Sequence, residues 1–152
     1  TTLFRSCKIR YEKTMENGMN KKVTEPYLVD ALSFTEAEAR IIEEMTPFIS
    51  GEFTVSDIKR ANYSELFPCE EDAADRWFKC KLVFITLDEK SGAEKKTSTQ
   101  VLVQAADLRD AVKKLDEGMK GTMADYQIAS VAETAIMDVY PYSAEPNDKP
   151  EV

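Results

Sequence analysis

The chain has no histidine. That removes the usual general base near neutral pH, the commonest zinc ligand and the side chain whose charge switches in the physiological range. A serine or cysteine nucleophile activated by histidine is therefore excluded. Only five glycines occur among 152 residues. None forms a Walker-type phosphate loop or a G-x-G-x-x-G turn. Three cysteines, Cys7, Cys69 and Cys80, lack the spacing of a disulfide framework or a zinc site. No apolar run approaches the ~20 residues that span a bilayer, and no signal-peptide pattern opens the sequence. These absences set the expectation of a cytoplasmic, reduced protein that is no enzyme, carries no cofactor and avoids the membrane.

What is present is a globular composition. Apolar residues make up 43%, enough for a core, and charged residues 32%. The net charge of −8 argues against broad non-specific binding to nucleic acid or anionic lipid. It leaves room for a local basic face.

The sequence also repeats itself. With Cys7 placed on Cys80, Lys8 falls on Lys81, Ile9 on Leu82 and Tyr11 on Phe84. One residue is gained in a turn, and Gly18 then falls on Gly92, Lys21-Lys22 on Lys95-Lys96, and Leu28 on Leu102. Glu43 matches Glu117 and Met45 matches Met119. One residue is lost after that, and Val55 meets Ile128, Ile58 meets Val131 and Pro68 meets Pro141. The order of these matches reads as an internal duplication.

Each repeat has the pattern ββαβ. "CKIRY" alternates, with Cys7, Ile9 and Tyr11 on one face and Lys8 and Arg10 on the other, a half-buried strand. Asn17-Gly18 signals a hairpin turn. Pro26 in the return strand removes a ladder donor, so that strand should be an edge or carry a bulge there. Ser33 and Glu36 have capping-box spacing, which starts a helix at Phe34. Its stripe is Phe34, Ala37, Ile41 and Met45. Asp107 caps the second helix, with Leu108, Ala111, Leu115 and Met119 as its stripe. "EFTVSDIKRANYSELF" reads as one bent strand or two short ones. The expected class is α+β: two ββαβ repeats, residues 3–68 and 76–141, related by a pseudo-twofold, with antiparallel sheets and two helices. The expectation is a single domain over 1–142 with one shared core, then a polar disordered tail over 143–152.

Few residues suggest chemistry. Cys7 and Cys80 could form a redox or thiolate site, but matched positions on apolar strand faces read as small buried side chains. Glu70, Glu71, Asp72 and Asp75 could hold a divalent cation, yet the run lacks the alternating spacing of a calcium loop and reads as a solvated linker. Glu43 and Glu117 read as exposed helix carboxylates. The basic residues are the least ordinary feature. Lys8 and Arg10 share one strand face, and Lys79 and Lys81 repeat it, with Trp77 beside them and Phe4 at the matching place. Lys95 and Lys96, like Lys21 and Lys22, follow a turn. Lysines and an aromatic on one sheet face outline a single-strand nucleic-acid platform. The plainer account is solvated lysines that deter edge pairing.

The stretches "CKIRYEKTMENGMNKKVTEPYLVDALSFTEAEARIIEEM", "GEFTVSDIKRANYSELF", "CKLVFITLDEKSGAEKKT" and "GTMADYQIASVAETAIMDVYPY" resemble a short family known only as a domain of unknown function. It is widespread in Bacteroides and relatives and in their phages. The resemblance covers all but the tail. It implies a bacterial or phage-borne cytoplasmic protein and transfers no catalytic residue. The expected function is a non-enzymatic interaction module with a protein partner or itself. The alternative is a single-stranded nucleic-acid-binding protein that uses the outer sheet face, with Lys8, Arg10, Lys79, Lys81, Trp77, Lys95 and Lys96 as candidates. A small metal enzyme built on carboxylates is the third and least favoured reading.

Overall fold

The computed structural model describes residues 4–122 and 125–141; the tail expected over 143–152 lies outside them. The elements are β1 (Phe4–Thr14), β2 (Asn20–Asp30), α1 (Phe34–Met45), β3 (Phe53–Ala61), β4 (Glu65–Phe67), β5 (Arg76–Leu87), β6 (Glu94–Ala105), α2 (Leu108–Gly118), β7 (Asp125–Glu133) and β8 (Val139–Tyr140). They form two mostly antiparallel four-stranded sheets, in the orders β3-β1-β2-β8 and β4-β6-β5-β7. The class is α+β. The chain divides into two compact units. One holds the residues up to Ala61 and from Ile136 onward, the other Asn62–Ala135.

Local chemistry places the elements where the sequence suggests. Gly18 takes φ +83° and Gly92 +72° in the hairpin turns, a region that only glycine enters without cost. Ser33 Oγ accepts from the Glu36 amide at 3.1 Å, and Glu36 Oε1 accepts in return from the Leu32 amide at 2.8 Å. Asp107 Oδ1 and Asp110 Oδ2 do the same for α2, accepting from the Asp110 and Ala106 amides at 2.8 and 3.0 Å. Each pair satisfies two helix-end donors that would otherwise lack partners. The Pro26 carbonyl accepts from the Met137 amide, so its missing N–H faces away from β1, as a proline in a strand requires.

Both edge strands β3 and β7 are bulged. Lys8 lies opposite Asp57 and Ile9 opposite Val55, which leaves Ser56 extra. Lys81 lies opposite Ser130 and Leu82 opposite Ile128, which leaves Ala129 extra. The cause is in the sequence. Val55 and Ile58 are three residues apart, as are Ile128 and Val131, so strict alternation would turn one of each pair to solvent. The extra residue resets the alternation, and both members pack on their unit's core.

Each unit has its own cluster of buried apolar side chains. Cys7, Ile9, Val29, Ala31, Ala37, Ile41 and Met45 make the first. Phe78, Cys80, Leu82, Val101, Val103, Ala105, Ala111, Leu115 and Met119 make the second. Ile9 and Met45 belong to the first cluster, Leu82 and Met119 to the second.

The ends of the expected repeats do not stay with their own sheets. β4, the end of the first, runs parallel to β6 in the second unit, with Leu66 opposite Leu102. β8, the end of the second, runs parallel to β2 in the first unit, with Val139 opposite Leu28. Phe67 packs on the second core and Tyr140 on the first. Tyr140 also stacks on Tyr27, with ring centroids 6.2 Å apart. The Arg40 guanidinium ties the Pro141 carbonyl at 3.2 Å. Chain length explains why β4 leaves. The place beside β2 lies three strand spacings from β3, about 14 Å. The connection of residues 62–64 reaches barely that far fully extended, with nothing left to pass around β1 and β2.

Candidate functional site

Strand parity and the ladder register define the sheet faces turned away from the helices. In the first unit Lys8, Arg10 and Glu12 stand on that face, opposite Pro26, Thr24 and Lys22 of β2 and, for Lys8 and Arg10, opposite Asp57 and Thr54 of β3. In the second, Lys79 and Lys81 stand opposite Leu102 and Gln100 of β6 and Ala132 and Ser130 of β7. Lys8, Arg10, Lys79 and Lys81 are all exposed. The expected pair Lys95-Lys96 is divided by the pleat. Lys96, opposite Ile85, joins Lys79 and Lys81, whereas Lys95, opposite Thr86, points the other way.

Trp77 does not serve as an exposed platform. Its parity places it with Lys79 and Lys81, but it is only 4% exposed. Leu102 on the same face is fully buried, as are Phe4 and Leu28 at the matching end of the first sheet. The outer face is thus divided along the strands, apolar and covered at one end, polar and open at the other. A base cannot stack on Trp77.

Two concavities lie on the open ends. One, of about 950 Å³, is lined by Arg10 and Lys22 with Thr14, Asn20, Thr24 and Thr54, and also by Glu12 and Glu52. The other, of about 590 Å³, is lined by Lys81 with hydroxyl and amide side chains and includes Tyr63. Lys22 was noted only as one of a pair after a turn, not as a neighbour of Arg10, and Tyr63 escaped the sequence reading. The place of Lys22 could have been found by counting parity through the turn. That of Tyr63 could not, because it lies in the connection to β4, whose partner strand β6 lies in the other half of the sequence.

Some of the acidic groups are engaged. Lys114 Nζ, largely shielded from solvent, sits 2.7 Å from Asp110 Oδ2 and 3.1 Å from Glu71 Oε1. Hydrogen bonding to Asp110 raises the Lys114 pKa, and the Ala106 amide, followed by Lys114, lowers that of Asp110. The Tyr11 and Tyr27 hydroxyls both donate to Glu25 Oε1, at 2.9 and 3.2 Å. Among the described residues no three Cys, Asp or Glu side chains are grouped as metal ligands, and no helix is long and apolar enough to cross a membrane.

Cys7 and Cys80 are buried and unpaired. Burial pushes both thiols up to about 11. Below the ordinary value of 9.0 the folded and unfolded thiols are both protonated. Between 9.0 and about 11 only the unfolded chain ionises, so stability falls as pH rises through that window. Urea unfolding at increasing pH should show this loss, and a Cys7→Ala, Cys80→Ala variant should lose less. An alkylating reagent should modify partly exposed Cys69 quickly and the other two only as the units open. Fast modification of all three native thiols would contradict the assignment.

A second kind of surface surrounds α1. Phe34, Ile42 and, just past the helix, Phe48 are exposed, Phe48 at 76%. The Arg5 guanidinium lies 4.6 Å from the centre of the Phe34 ring and donates to the Leu32 carbonyl. Glu38, Glu43 and Glu44 occupy the same helix, so these apolar side chains sit in an acidic surround.

The chain belongs to the DUF4494 family, a domain of unknown function, which matches residues 3–142. No curated protein matches the chain.

Proposed function

We propose that this member of the family is a non-enzymatic binding module whose partner is a protein. The supporting observation is the exposed apolar group on α1 and just beyond it. A helix stripe should bury its apolar positions and expose polar ones. Ala37, Ile41 and Met45 do so, yet Ile42 is 41% exposed and Phe48 more so. Exposed aromatics of this kind act as anchors at protein interfaces. The acidic residues of α1 call for a partner with an apolar centre and a basic rim. The setting implied is the cytoplasm of a bacterium or the genome of its phage, and the two halves arose by duplication. A photo-crosslinking amino acid at position 48 of the full chain, expressed in its native host, should yield a discrete protein adduct. Ile42→Asp should remove that adduct, and the probe at position 86 should not produce it. Equal adducts at 48 and 86, or none at 48, would refute this reading.

The grouping of Lys79, Lys81 and Lys96 on one open face favours a second reading, binding of single-stranded nucleic acid. The loss of Trp77 as a stacking surface weakens it, and it needs another aromatic.

A further inference from the structure

The 590 Å³ recess in the second unit supplies that aromatic. Its floor is the outer face of β5 and β6, with Lys81, Ser98 and Gln100. Its wall is Asn62, Tyr63 and Ser64, the connection that carries β4 into this sheet. The wall is fixed in place. The Ser64 amide donates to the Gln100 carbonyl at 2.8 Å, and Thr99 Oγ1 donates to Ser64 Oγ at 2.9 Å. The groups that face the recess are otherwise uncommitted. The Lys81 ammonium, the Tyr63 hydroxyl, the Ser98 hydroxyl and the Asn62 and Gln100 amides make no side-chain hydrogen bond or ion pair among the described residues. No carboxylate lines the recess. The strand neighbours of Lys81 are neutral, Gln100 and Ser130. Lys8, its counterpart in the first unit, instead faces Asp57. Lys81 is therefore the cation left available to an anion, beside a half-buried aromatic ring.

We propose that this recess holds one nucleotide of a single strand, with the base on Tyr63, the phosphate at Lys81, and the sugar and base edges at Ser98, Asn62 and Gln100. The assignment rests on the nucleic-acid reading and narrows it to one place. A ring gives a surface for any base, so recognition is tolerant of sequence. The lysine contact releases counterions, so it is sensitive to salt. The acidic chain as a whole repels a polyanion, which confines binding to the carboxylate-free recess.

The test is anisotropy of a labelled oligothymidylate with the full chain at low ionic strength. The wild type should bind. Tyr63→Ala should weaken binding by about five- to a hundredfold, while Tyr63→Phe, which keeps the ring, should bind nearly as the wild type. Lys81→Gln should weaken binding and lower the salt slope by about one. Lys90→Gln, in the distant β5–β6 turn, should have no effect. If the wild type binds and Tyr63→Ala and Lys81→Gln bind equally well, the recess is not the site, although the outer-face reading survives. If inorganic phosphate displaces the oligonucleotide and Tyr63→Ala changes nothing, the recess is an anion site only and the nucleotide assignment fails. No wild-type binding overturns both. Circular dichroism confirms that each variant is folded.

Discussion

Alanine in place of Phe67 is expected to destabilise the second unit by about 3 kcal/mol, at the lower end for a phenylalanine removed from a core because the ring is partly exposed. The loss should appear as faster amide exchange in β5, β6 and α2, with β1, β2 and α1 unchanged. This is the reverse of what the sequence repeat suggests, since Phe67 ends its first half. The ring packs on the second core, against Gly118 at the end of α2. A Cβ added at Gly118 would lie 2.8 Å from the Phe67 ring, inside any tolerable contact. Gly118→Ala should therefore destabilise the wild type. In the Phe67→Ala background the clash is gone, and the same change should stabilise by up to about 1 kcal/mol through helix propensity. The double-mutant cycle separates packing from propensity. Faster exchange in β1 and β2 on replacing Phe67 would refute the placement of β4.

Reversing two charges on the outer face of the second sheet should have the largest effect on nucleic-acid binding. The Lys79→Glu, Lys81→Glu variant is expected to bind single strands at least about tenfold more weakly than the wild type, and to lower the slope of log affinity against log salt by about two. Both lysines are exposed and lie on strand β5 in the interior of the sheet, so the fold should tolerate the change. Equal binding by the folded variant and the wild type would remove the outer face from consideration. Lys81 belongs to the recess as well, so the face can outlive a failure of the recess at Tyr63, but a failure of the face removes both.

Much of the fold could be read locally. The alternation of "CKIRY" and "FKCKL" gave the strands and the burial of Cys7 and Cys80. Ser33 with Glu36, and Asp107, marked the helix starts. These signals were legible because each lies within a few residues of its cause. The destinations of β4 and β8 were not, because they depend on pairing with residues far along the chain, and three or two residues carry too little pattern to name a partner strand. Trp77 failed for a different reason. Parity assigns a side of the sheet and does not say whether that side is covered. The basic face was legible from Lys79 and Lys81 by parity. The recess was not, because half of it comes from Asn62 and Tyr63, delivered by the same strand exchange. The bulges at Ser56 and Ala129 could have been read from the odd spacing of Val55 to Ile58 and Ile128 to Val131.

The recess and the completeness of both sheets depend on one claim, that each sheet is closed by a strand from the other half of the sequence. Nuclear Overhauser contacts of the Phe67 and Tyr140 rings in the labelled full chain test it most directly. The predicted result is a strong contact from the Phe67 ring to the Gly118 α-protons and from the Tyr140 ring to that of Tyr27. Contacts of Phe67 with residues of α1 and β2, and of Tyr140 with residues of α2 and β6, would contradict it.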